Sequence, residues 1–163
     1  MNRNLLGICA VAVTALTAVA CSSGDAQDSE RVALAGPPAD TLVVYKSPTC
    51  GCCSNWVDHV EENGFAVVTH DISDRELAAL KPQLGVKPGH ASCHTATVRG
   101  YTIEGHVPAD LIARLISERP RGVKGLAVPG MPIGSPGMEG IIKQEYDVLS
   151  FDEHGNEKVY ATR

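Results

Sequence analysis

Leu42-Val43-Val44-Tyr45 is a continuous apolar run, mostly β-branched or aromatic, and predicts a short buried strand. Ser47-Pro48-Thr49 ends it, because proline has no amide to give a sheet ladder. From Ser54 the spacing turns helical: Trp56, Val57 and Val60 share a face, and Asn63-Gly64 stops the helix. Cys52 and Cys53 therefore fall in or beside the first helical turn, with Cys50 just outside it. Phe65 to His70 reads as a second strand, parallel to the first through the helical crossover. Ser73-Asp74-Arg75-Glu76 has capping-box spacing and opens a second helix, whose apolar face is Leu77, Leu80 and Leu84. Pro82 should bend or end that helix, and Gly85 closes it. Lys87 to His94 is a loop. Thr95 to Val98 and Tyr101 to Ile103 form a hairpin turning at Arg99-Gly100. Pro108 opens a last amphipathic helix, with Leu111, Ile112, Leu115 and Ile116 inward and Pro120 as the stop.

Beyond Pro120 the pattern dissolves. Residues 121–140 are rich in glycine and proline, and a loop of that length in a compact domain is functional or disordered. It holds Met131 and Met138, two of the three methionines in the chain. Tyr146 to Phe151 and Glu157 to Tyr160 then make a C-terminal hairpin, expected as a small sheet pinning the loop to the domain. His154 lies at its tip as a solvated turn residue.

The order βαβα, β-hairpin, α is that of an α/β thioredoxin-like domain, here with a C-terminal Gly/Pro/Met loop and hairpin as an extension. In that fold a dithiol sits between the first strand and its helix, and the loop before the third strand faces it. In this chain the dithiol position is Cys50 to Cys53, and the facing loop carries Cys93-His94 where a proline is usual. The domain reading is a signal segment at 1–20, a flexible tether at 21–40, the thioredoxin-like domain at 41–120 and the extension at 121–163.

The first twenty residues do not belong to the core. Arg3, the apolar stretch Leu5 to Ala20 and the small residues Ala18-Val19-Ala20 before Cys21 make a secretory signal, shorter than a comfortable membrane span. Cys21 stands in a context like a bacterial lipoprotein box and is expected as a lipid anchor, the polar run after it being a tether; simple cleavage after Ala20 is the alternative. Removing residues 1–20 takes away Arg3 and no acid, so the net charge moves from −5 to −6. No basic patch is visible, which argues against nucleic acid as a partner.

Of six cysteines, Cys9 leaves with the signal and Cys21 is terminal, which leaves Cys50, Cys52, Cys53 and Cys93 for the folded domain. A helix N-terminus stabilises thiolate, the form that attacks disulfides and binds soft metals. Cys50-x-x-Cys53 has redox-dithiol spacing, which makes those two the candidate catalytic residues, and Cys52 is a thiol that a plain redox motif lacks. Three sulfurs within four residues suit a metal better than a disulfide alone. A structural disulfide and zinc are the other readings, although the paired Cys-x-x-Cys repeats usual for zinc are missing. Thioether sulfur suits Cu(I), so Met131 and Met138 are candidate ligands; the alternative is that they plug the loop onto the core. His59 and His70 read as ordinary surface or strand-end residues. His90, His94 and His106 lie nearer the site, His94 being the best of them because it adjoins Cys93.

Taken together, Ser47-Pro48-Thr49-Cys50-Gly51-Cys52-Cys53, Ser92-Cys93-His94-Thr95-Ala96, Tyr101 to Pro108 and Met131 to Glu139 resemble the CopG-type periplasmic copper-resistance family. The resemblance implies a thioredoxin-like fold whose C-terminal extension helps bind metal. It implies copper held by Cys50, Cys52, Cys53 and Cys93 with Met131 and Met138 contributing, in a role of copper redox handling or detoxification. Four thiolates on one copper carry excess negative charge, so sulfurs bridging several Cu(I) ions are expected. The partners implied are copper ions and a periplasmic copper exporter or metallochaperone, with a monomeric chain and membrane contact only through the lipid anchor. The competing function is a thiol–disulfide oxidoreductase using Cys50 and Cys53, and a third is a disulfide-stapled interaction module.

Overall fold

A computed structural model describes residues 40–163. The expected secretory segment, the lipidated Cys21 and all but the end of the tether lie outside the described residues. The elements are β1 (Leu42–Lys46), α1 (Gly51–Glu62), β2 (Val67–Asp71), α2 (Asp74–Gln83), a 3-10 turn (Pro88–His90), β3 (His94–Val98), β4 (Tyr101–Glu104), α3 (Ala109–Glu118), β5 (Gly125–Ala127), β6 (Asp147–Phe151) and β7 (Glu157–Thr162). They build one mixed α/β unit on a seven-stranded sheet, in the order β2-β1-β3-β4-β5-β6-β7.

β1 and β2 are parallel, as a helical crossover requires. β3 then returns antiparallel to β1 and β4 antiparallel to β3, so the Arg99-Gly100 hairpin lies at the middle of the sheet. A second crossover, through α3, sets β5 parallel to β4. Leu42 and Val44 of β1, Trp56 and Val60 of α1, Ile103 of β4, Ile112 and Leu115 of α3 and Leu126 of β5 pack as one core. Each of the larger aliphatic side chains buried there contributes about 1.5–3 kcal/mol.

The capping box at α2 is formed in both directions: Ser73 Oγ accepts from the Glu76 amide at 3.3 Å, and the Ser73 amide donates to Glu76 Oε2 at 2.8 Å. Pro82 lies inside the last turn of α2 instead of ending it. The helix stops one residue later, and Gly85 follows at φ +83°.

The C-terminal residues depart from expectation. The hairpin β6–β7 is not a separate small sheet; β6 pairs antiparallel with β5 and continues the main sheet. The linking strand, Gly125-Leu126-Ala127, sits in the stretch whose glycines and prolines suggested only loop. Backbone proximity explains the glycine: a Cβ on Gly125 would lie 2.0 Å from the Thr102 carbonyl oxygen. Val148 of β6 then joins the same core as Trp56 and Leu115, so the extension shares the domain's apolar interior.

Candidate metal centre

The chain leaves β1 at Lys46, turns through Ser47-Pro48-Thr49 and enters α1 with Cys50 as its N-cap residue, in extended conformation. Cys52 and Cys53 occupy the first turn, where no acidic side chain opposes the helix dipole. Cys53 faces inward and is fully buried, whereas Cys50 and Cys52 are half-buried. Cys50 and Cys53 are joined as a disulfide, and Cys52 and Cys93 are free thiols.

Cys93 comes to the same place from the loop before β3. Its sulfur lies 4.0 Å from Cys52 Sγ, which is itself 3.5 Å from Cys50 Sγ. The ligand atoms of Cys50, Cys52, Cys53 and Cys93 all lie within 4.8 Å of one another. Opening the disulfide would therefore place four thiols around one small volume. A cleft of about 390 Å³ beside them, with Cys50, Cys93, Ser47 and Lys81 on its wall, gives access from solvent.

Two groups hold Cys93 in place: Glu104, which sequence reasoning did not single out, and His106, which it placed near the site. Glu104, at the end of β4, is fully buried, and its Oε1 accepts from the Ser92 amide at 2.7 Å. The same carboxylate pairs with Lys81 Nζ at 2.6 Å and accepts from Thr95 Oγ1 at 2.6 Å. Burial pushes the Glu104 carboxyl upward from its ordinary range, with the Lys81 ammonium opposing that shift. An acid closing an otherwise apolar hairpin strand was the signal available for it. On the other side of the loop, Ser92 Oγ donates to the Gly130 carbonyl.

His106, just past β4, is the second group. Its Nδ1–H donates to the Pro136 carbonyl at 2.7 Å, which leaves Nε2 facing Cys93 Sγ at 3.0 Å. His94 Nδ1 is 3.4 Å from the same sulfur. The His94 ring is buried against Trp56, with centroids 4.4 Å apart, and meets His106 edge-on at 5.1 Å. Burial first, then the neighbouring His106 and Lys81, hold His94 well below the usual imidazole range; burial also lowers His106. Both rings are therefore neutral at pH 7 and keep a lone pair for a ligand. The Cys93 thiol is pushed up to about 12, by burial first and then by the adjacent Cys52.

The extension reaches the site through backbone. A Cβ on Gly137 would lie 2.6 Å from the Cys52 carbonyl oxygen and 2.8 Å from the Trp56 amide, and the residue has φ +81°. Glycine alone lets residues 136–138 lie directly on the first turn of α1. Met138 follows it half-buried, whereas Met131 is 51% exposed. His59 lies away from the sulfurs, its Nε2 accepting from the Ala109 amide at 3.2 Å. His90 is turned toward Glu157, with Nε2 to Oε2 at 2.7 Å.

Comparison with solved structures finds the same architecture in two forms of a protein titled copper resistance protein CopG. Form 1 is 41% identical over 76% of this chain and 96% of that one, with a TM-score of 0.70. Form 2 is 40% identical over 76% of this chain and 97% of that one, with a TM-score of 0.69. The chain belongs to the CopG family. Residues 90–138, which include Cys93, His106 and Gly137, also match the family described as a protein of unknown function, DUF411. No curated protein matches.

Membership of the CopG family and the four-cysteine cluster together give a site able to bind metal in a copper-resistance protein family. The donor set is soft and anionic, which suits Cu(I) or zinc better than magnesium or calcium. Among the described residues no helix is long and apolar enough to cross a membrane.

Proposed function

We propose that this chain is a periplasmic copper-handling protein of copper resistance, with a thioredoxin-like domain at 41–120 whose dithiol has been turned into a metal site. The observation that carries the reading is the convergence of Cys50, Cys52, Cys53 and Cys93 within 4.8 Å. In the reduced protein these four hold Cu(I), their excess negative charge being offset by more than one ion bridged through shared sulfurs. Met138, next to Gly137 on the first turn of α1, and Met131 supply neutral thioethers at the rim. Residues 1–20 act as the secretory signal, and Cys21 as the lipid anchor of a monomer that passes copper to or from a periplasmic exporter or metallochaperone.

Redox interconversion follows from the Cys50–Cys53 pair. Closing that disulfide releases two electrons and two protons, enough to reduce two Cu(II) ions to Cu(I). Reopening it takes two electrons from a dithiol reductant. The helix N-terminus favours the protein thiolate that is oxidised when the bond closes and that leaves when the reductant's thiolate opens it.

The test is metal content and free-thiol count after copper loading under reducing conditions. The reading expects more than one copper per chain, lost in Cys93→Ser. A second reading, thiol–disulfide exchange at Cys50 and Cys53 with metal incidental, draws on the disulfide itself. It expects oxidoreductase activity that survives full chelation and Cys93→Ser, with no copper retained.

A further inference from the structure

Closing the Cys50–Cys53 disulfide takes two of the four thiols out of the metal site, but it leaves a second set of donors untouched. Cys93, His94 and His106 also bring one ligand atom each within 4.8 Å of one another. We propose that these three form a separate seat for a divalent copper ion, available while Cys50 and Cys53 are joined. The inference rests on the copper reading for the choice of metal, and on geometry alone for the seat.

Three observations support it. The first is spacing. A first-row divalent ion bonds thiolate at about 2.3 Å and imidazole at about 2.0–2.1 Å, so sulfur and nitrogen on one tetrahedral ion stand about 3.5 Å apart. Cys93 Sγ is 3.4 Å from His94 Nδ1 and 3.0 Å from His106 Nε2, so the second contact needs to open by only about 0.5 Å. The second is orientation. A ligating histidine typically gives its other ring N–H to a carbonyl or carboxylate, which fixes the tautomer and the ring plane. His106 Nδ1–H already does this with the Pro136 carbonyl at 2.7 Å, and that carbonyl belongs to the segment packed on α1 through Gly137. The third is rigidity. His94 is fully buried against Trp56, whose Nε1–H donates to the Val107 carbonyl at 2.9 Å, so the rings are set before any ion arrives.

The two seats differ in what they select. Four thiolates concentrate negative charge and soft sulfur, which favours several Cu(I) ions. One thiolate and two neutral imidazoles leave a bound divalent ion with net charge +1, and two histidines with one cysteine are a donor set suited to Cu(II). Cys93 belongs to both donor sets and is the sulfur they share, with Cys52 Sγ 4.0 Å from it on the four-thiol side.

The test uses the full chain with the Cys50–Cys53 disulfide intact, in a Cys9→Ser, Cys21→Ser and Cys52→Ser background so that no second thiol can reduce the added metal with Cys93. Zn(II) measures affinity without redox chemistry, and Cu(II) reports the ligands spectroscopically. The expected result is one ion per chain, nitrogen hyperfine structure and a sulfur-to-copper charge-transfer band. His106→Asn should weaken Zn(II) binding at least tenfold while the reduced form of that variant still takes up Cu(I). Loss of Cu(I) uptake as well would mark a misfolded variant; His94→Phe, which keeps a ring against Trp56, then carries the test to the same tenfold criterion. Divalent binding unchanged in the histidine variant that folds, or a Cu(II) spectrum without nitrogen or sulfur, overturns the proposal. Cu(I) uptake by the reduced wild-type chain is scored separately, so the four-sulfur reading can fail without the second seat failing with it.

Discussion

Glu104 Oε1 accepts a hydrogen bond from the Ser92 amide at 2.7 Å, tying the end of β4 to the residue immediately before Cys93. A fully buried carboxylate is an expensive way to fix a loop, and Lys81 and Thr95 are what make it tolerable. Glu104→Gln keeps an acceptor for Ser92 but removes the charge from the Lys81 pair. The expected outcome is a loss of about 1.5–3 kcal/mol in stability, the range for a hydrogen bond to a charged group. Copper affinity should fall with it, because Cys93 is no longer held at one position. Denaturant unfolding and competitive copper titration check the two effects.

Gly137→Ala should cost more than an ordinary surface glycine substitution. The new Cβ meets the Cys52 carbonyl and the Trp56 amide, both backbone, and the residue stays at positive φ. The expected loss is about 1–3 kcal/mol from the backbone conformation alone, with segment 136–138 lifting off α1. Thermal unfolding reads the first effect. A change in the environment of His106, whose tether is the Pro136 carbonyl, reads the second by NMR.

Metal-free protein should lose stability as the pH falls through about 6.5. His94 and His106 have folded pKa values below the ordinary one, so the unfolded chain binds protons first. The stability they contribute is present above about pH 6.5 and drains at about 1.4 kcal/mol per pH unit for each histidine as the pH drops toward their folded values. Glu104 acts in the opposite sense: its raised pKa lends stability at low pH that is lost as the pH rises through the folded value. His106→Asn should flatten the acid limb of a plot of unfolding free energy against pH.

Metal uptake should release a proton from Cys93. With its thiol pushed up to about 12, chiefly by burial, the group is S–H throughout the neutral range. A thiolate-binding metal must displace that proton, so apparent affinity should rise about tenfold per pH unit for one proton released. Copper competition at pH 6.5, 7.5 and 8.5 measures the slope, and a flat profile would remove Cys93 from the ligand set.

Much of the frame was legible in the sequence because local chemistry dictates it. The run at Leu42–Tyr45, the capping box at Ser73 and Glu76, the Arg99-Gly100 turn and the spacing of Leu111, Ile112 and Leu115 each specify an element through short-range periodicity and turn preference. They place Cys50, Cys52 and Cys53 at a helix start without any tertiary information. What the sequence could not disclose depends on distant partners. Gly125-Leu126-Ala127 is a strand only because β4 and β6 offer it hydrogen bonds, and its glycine reflects the nearness of the Thr102 backbone. Glu104 looks ordinary in the chain and His106 reads only as a neighbour of the site, and both acquire roles because β4 runs beside β3 and ends next to Cys93. Short-range pattern chose the thiols, and long-range pairing chose the residues that surround them.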